Sequence, residues 1–123
     1  MSPTEKQAQL PHHKLIAYGL ALELVQLVAR TRIGEAQLRA QARKSAASAA
    51  LNTAEGAARQ TLADKSRAYA IALAECCECC AAVEIAGDAR RAVPWKTLMS
   101  EIFLALMTTT DYELRELRKP SLR

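Results

Sequence analysis

From residue 35 to residue 86 the chain contains no proline and a single glycine, Gly56. Proline and glycine are the strongest local interrupters of regular structure, so a stretch this long without them cannot be cut into short strands and tight turns. It has room for two long helices and one connection. The rest of the composition agrees: among 123 residues there are 25 alanines but only four glycines, four prolines and five aromatics. Alanine is the best helix former, while sheets draw on β-branched and aromatic side chains. The expected class is all-α. At 50% hydrophobic and 24% charged residues the chain has material for one packed core and a soluble surface.

Apolar spacing divides the chain further. A first helix is expected over 12–30, with Leu15, Tyr18, Leu22, Val25 and Ala29 on its core face and Ile16, Leu20, Leu24, Leu27 and Val28 extending the apolar surface. The second helix spans 35–59. The third spans 62–86, with Leu62, Ser66, Tyr69, Ala70, Leu73, Cys76, Cys77 and Cys80 sharing one side and Gly87 as its stop. Pro94 suits the first turn of a fourth helix that carries Trp95, Leu98, Met99, Ile102, Phe103, Leu106 and Met107 as far as residue 110. Four helices with short connections predict an antiparallel up-down-up-down four-helix bundle over 12–110. An irregular lead-in, 1–11, precedes it, and a charged extension, 111–123, follows.

Seventeen basic against thirteen acidic residues give a net charge of +4 and a pI near 9.0, a mild excess compatible with nucleic acid or an acidic partner. No secretory signal is expected from the opening Met1 to Lys6. The apolar segment 15–29 is interrupted by Glu23 and Gln26 and is shorter than the roughly 20 residues that cross a bilayer. A cytoplasmic protein without a membrane span follows as the expectation. In that compartment the four cysteines would not form a disulfide framework.

The second helix carries the informative pattern. At 100° per residue, Leu38, Ala42, Ser45, Ala46, Ala49, Thr53 and Gly56 fall on one side, nearly all of them small, so a neighbouring helix can approach closely. A narrow polar stripe holds Gln41, Ser48, Asn52, Glu55 and Arg59, the last two forming an i,i+4 pair of the favourable order. Ala47, Ala50, Leu51, Ala54 and Ala58 make a second apolar strip. A helix that is apolar on two sides in so small a bundle predicts contact with another subunit.

The residues of this helix, Gln41, Arg43, Lys44, Ser48, Asn52, Ala54, Glu55, Gly56 and Arg59, resemble the signature of the four-helix-bundle family of rRNA intervening-sequence proteins. That signature reads Gln-x-Arg-Arg-Ala-x-x-Ser-Ile-x-x-Asn-Ile-Ala-Glu-Gly-x-x-Arg. Tyr69, Ile71, Ala72 and Glu78 are similar to the family's following helix. Ala49 and Thr53 stand where the signature has isoleucine, Ala74 and Glu75 where a Gly-Ser pair is usual, and the connection over 31–36 is shorter than is common. The resemblance implies a cytosolic homo-oligomer, typically a pentameric ring. It also implies kinship in fold with accessory proteins of diversity-generating retroelements, which bind nucleic acid and a reverse transcriptase. On this reading the stripe is an intersubunit surface, and Arg39, Arg43, Lys44, Arg59, Arg90 and Arg91 are the candidates to contact RNA or DNA phosphates.

Cys76, Cys77, Cys79 and Cys80 flank Glu78 in the most unusual local feature of the chain. Thiolates suit Cu(I) or zinc, but one helix cannot wrap adjacent cysteines around an ion, and no second cysteine cluster exists. Cysteines packed as small hydrophobes in the core are the preferred expectation. His12 and His13 have no Glu-x-x-His partner, which excludes a ferritin-like di-iron site. With no phosphate loop and no nucleophile–base set, the chain is expected to need no cofactor and to be no enzyme. The expected role is an oligomeric scaffold with possible nucleic-acid binding; the rivals are an adaptor that binds only protein and a Cu(I) or zinc thiolate bundle.

Overall fold

The computed structural model describes residues 10–87 and, beyond them, residues 97, 100, 101, 104, 105 and 108. Among the described residues there is no strand. A 3-10 turn, Pro11–Lys14, is followed by helices α1 (Ile16–Arg30), α2 (Ala36–Ala58) and α3 (Leu62–Ala86), and the isolated residues after 96 are also helical. Much of the fourth helix expected over 94–110 lies outside the described residues, as do the extension 111–123 and residues 1–9 of the lead-in. No helix among the described residues is long and apolar enough to cross a membrane.

The first helix begins later than the apolar spacing predicts. Pro11 presets the backbone for a 3-10 turn, in which the Leu10 amide donates to His13 Nδ1 at 2.9 Å and the Leu15 amide to the His12 carbonyl at 3.0 Å. Leu15 is then extended, at φ −85° and ψ 124°, so the turn and α1 are separate elements. The core face of α1 is also turned by one residue: Ala17, Ala21, Leu24 and Val28 are buried, while Leu22 and Ala29 are exposed. Both sets of positions obey the same spacing, 100° apart. The helix buries the set with two alanines, which lets its backbone come close to its neighbours.

Helix α2 starts at a carboxylate cap. Glu35 accepts from the amides of Gln37 and Leu38 at 3.0 and 2.7 Å, and these bonds, helped by the charge of Arg39, hold its carboxyl below the usual range. The small face is buried as its spacing predicts: Ala42, Ser45, Ala46, Ala49, Thr53 and Gly56 are inside, joined by Ala50. Leu38 packs at the edge of the core. Thr53 returns its hydroxyl to the Ala49 carbonyl at 2.7 Å, so its polarity costs little inside.

Among the described elements, helices α2 and α3 share the most extensive contact. Gly56, late in α2, meets Tyr69, early in α3; Gln41, early in α2, bonds Glu78, late in α3. The connection over 59–61 is pinned from both sides. Thr61 caps α3 by accepting from the Asp64 amide at 3.1 Å, and the buried Lys65 ammonium donates to the Gly56 and Ala57 carbonyls, each at 3.1 Å. A cation is well placed there, because the last carbonyls of a helix lack partners and carry its negative dipole end. At its far end α3 stops at Gly87, whose φ of 81° is left-handed.

The buried face of α3 is Lys65, Ala68, Tyr69, Ala72, Cys76, Cys79, Ala82 and Val83. Tyr69 and Cys76 lie on it as expected. Ala70 and Cys77 are exposed instead, Leu62, Ser66, Leu73 and Cys80 are only half-buried, and Cys79 takes the inward place. The rotation has the same cause as in α1: alanines 68 and 72 present the low-profile surface that lets α3 approach α2.

Candidate interaction groove

On the outer side of the α2–α3 pair, Asn52, Glu55 and Arg59 meet Asp64, Arg67, Ala68 and Ile71 around a groove of about 400 Å³. Three of the five polar-stripe residues therefore share one site. Ser48 stands behind them: the Asn52 side-chain amide donates to its carbonyl at 2.9 Å and its hydroxyl at 3.1 Å, which fixes the direction of the Asn52 side chain. Gln41 lies further along the same helix pair, where its amide donates to the Glu78 carboxylate and ties α2 to α3.

Glu55 and Arg59 form an ion pair one turn apart, with about half of each side chain exposed. The hydrogen bond and charge of Glu55 hold the Arg59 guanidinium more firmly protonated than usual. In water such a pair contributes little to stability, and its effect is to fix two charges in one orientation on the groove wall. Asp64 and Arg67 place a second pair of opposite charges beside the first. The groove is thus charge-balanced, and Ile71, 41% exposed, forms its apolar wall. Leu51 is 70% exposed on the same helix as Asn52 and Glu55.

Asp64 and Arg67 are not singled out by the sequence, and Ile71 enters there only through its resemblance to the family's following helix. The signal of the two charged residues was weak, since an acid in a first helical turn and an arginine two turns before a helix centre are ordinary surface choices. Only the packing of α3 against α2 brings them to the stripe.

The basic candidates do not form one patch. Arg39 is half-buried and donates from Nη1 to the Ile33 carbonyl at 2.9 Å, closing the turn before α2. Arg59 is committed to Glu55, whereas Arg43 and Lys44 are exposed. Arg90 and Arg91 lie outside the described residues.

The four thiols are free, with Cys76 and Cys79 buried, Cys80 half-buried and Cys77 exposed. The packing role expected for Cys77 therefore belongs to Cys79. Burial is the main cause that pushes Cys76, Cys79 and Cys80 up to about 12, and the Glu84 carboxylate, which accepts from the Cys80 thiol at 2.9 Å, adds to it there. Among the described residues no group of three or more His, Cys, Asp or Glu side chains is arranged to hold a metal ion. His12 and His13 pack on each other and on Tyr18, at ring separations of 4.3, 4.5 and 6.3 Å.

No curated protein matches the chain. The family model of the 23S rRNA-intervening sequence protein matches residues 13–102, a span that contains all three helices, the polar stripe and the groove. On that match the chain belongs to the 23S rRNA-intervening sequence protein family.

Proposed function

We propose that the chain is a non-enzymatic, cytoplasmic scaffold: an antiparallel up-down-up-down four-helix bundle that assembles through the outer face of α2 and α3 into a homo-oligomer, a pentameric ring. The observation that carries this reading is Leu51, 70% exposed on the same helix as the charge-balanced groove of Asn52, Glu55, Arg59, Asp64, Arg67 and Ile71. Leu51 stands one helical turn before Glu55 on α2, so an exposed leucine borders the paired charges, and protein interfaces join apolar and polar surface in this way. Native mass spectrometry of the reduced protein tests it. The expected result is a multiple of the 13.4 kDa chain mass, five for the ring. Leu51→Glu should return the chain to monomers, and a monomeric parent protein overturns the reading.

In this scaffold Arg43 and Lys44 are the exposed basic residues of α2 that can reach RNA or DNA phosphates. Such binding weakens steeply as salt rises, through release of counterions. A second reading, an adaptor that binds only protein, is favoured by the engagement of Arg39 with the Ile33 carbonyl and of Arg59 with Glu55. A salt titration of RNA binding separates the two: a steep slope that flattens in Arg43→Glu supports nucleic-acid contact, and absent binding at low salt supports the adaptor.

A further inference from the structure

The cysteine cluster opens on a second cavity, of about 620 Å³, lined by Cys76, Cys77, Cys80, Ala81, Glu84, Ser100 and Leu104. Three thiols on one helix thus border a largely apolar space with an exposed mouth at Cys77. We propose that Cys77 and Cys80 form a dithiol site for a monosubstituted trivalent arsenical, with the arsenic bridging the two sulfurs and its organic group in the cavity beside Ala81 and Leu104.

Distance favours an inserted atom over a disulfide. Residues three apart on a helix have Cβ atoms about 5–6 Å apart. A disulfide needs them at about 3.8 Å, so closing one here would distort the helix. A bridging atom bonded to both sulfurs spans the wider gap.

Charge and stoichiometry select the arsenical over a metal cation. Zinc takes four ligands and prefers thiolates, and no three-ligand group exists among the described residues. Two thiolates on Cu(I) would leave a net negative charge beside the Glu84 carboxylate that lines the same cavity, an unfavourable like-charge contact. The arsenical needs no prior ionisation. Each thiol proton passes to an As–OH oxygen, which leaves as water while an As–S bond forms. Two As–O bonds break, two As–S bonds form, two waters are released, and arsenic stays trivalent. The product is neutral and so adds no charge beside the Glu84 carboxylate that lines the cavity.

The test uses the reduced full chain and phenylarsonous acid in the presence of excess 2-mercaptoethanol, read by intact mass spectrometry and a count of free thiols. One phenylarsenic adduct with loss of two of the four free thiols is expected. Cys77→Ala and Cys80→Ala should each weaken retention by about a hundredfold or more, because the second thiol acts at high effective concentration. Both positions lie at least partly in solvent, so these variants keep the core, and an unchanged helical circular dichroism signal verifies it. An adduct that survives either substitution, or that the monothiol strips from the parent protein, overturns the proposal.

Discussion

Tyr69 fills the space that a side chain at Gly56 would need: a Cβ on residue 56 would stand 2.6 Å from the ring's Cε1 and 2.7 Å from Cδ1. The glycine is there for approach, since its own backbone is ordinary helix. Gly56→Ala should destabilise the protein by about 1–3 kcal/mol through overpacking, measured as a lower urea midpoint at unchanged slope. Tyr69→Ala should cost about 3–5 kcal/mol on its own. Combined with Gly56→Ala it should cost less than the sum, because the new methyl enters the space the ring vacated.

Lys65 is a buried lysine whose ammonium closes the end of the preceding helix. Lys65→Met keeps most of the aliphatic stem and removes the ammonium that donates to both carbonyls. The expected loss is about 1–3 kcal/mol, the range for leaving buried polar groups without a partner, read by thermal or urea unfolding.

Ser45 has the opposite balance. Its hydroxyl is fully buried and has no hydrogen-bond partner among the described residues. Ser45→Ala removes an unsatisfied group and installs a better helix former, so stability should hold or rise by up to about 1 kcal/mol. A clear drop in the unfolding midpoint would show that the hydroxyl is engaged.

Glu35 ties stability to acid. Its folded carboxyl is held below the ordinary value by the two amides it caps. The unfolded state therefore takes up a proton first as pH falls, so the cap's contribution is complete above the ordinary carboxylate range and is lost as pH drops through the lower folded value. Glu35→Gln should flatten that part of the acid limb of a stability–pH curve, while leaving the neutral and alkaline parts parallel to the parent.

Helix existence was legible because 35–86 offers so few interruptions, and the small face of α2 was legible because serine, threonine and glycine stand out there among alanines. The faces of α1 and α3 differ in part from those that apolar spacing predicts, because Ala17, Ala21, Ala68 and Ala72 let their sides of the two helices approach the neighbours closely. In a bundle packed through alanine, Ala17 and Ala21 go inside and Leu22 is left in solvent. The polar stripe was visible as a row on one helix, and its Glu55–Arg59 pair followed from spacing alone. Its partners on α3 were not visible, because Asp64 and Arg67 become part of a site only once the angle between two helices is set. The reach of Lys65 back to Gly56 was hidden for a related reason: a lysine in a first turn reads as surface until the preceding helix is known to end beside it.

The pin that Lys65 makes across 59–61 also bears on the order in which the chain assembles. Its bonds join residues only eight and nine apart, so closing them sacrifices little chain entropy. Such local closure predicts that α2 and α3 pair before α1 is fixed, since contacts of short sequence separation form fastest. Mutations at Ala49, Gly56 and Lys65 should therefore slow refolding, and those at Ala21 and Leu24 should mainly speed unfolding, a division that chevron kinetics reads directly.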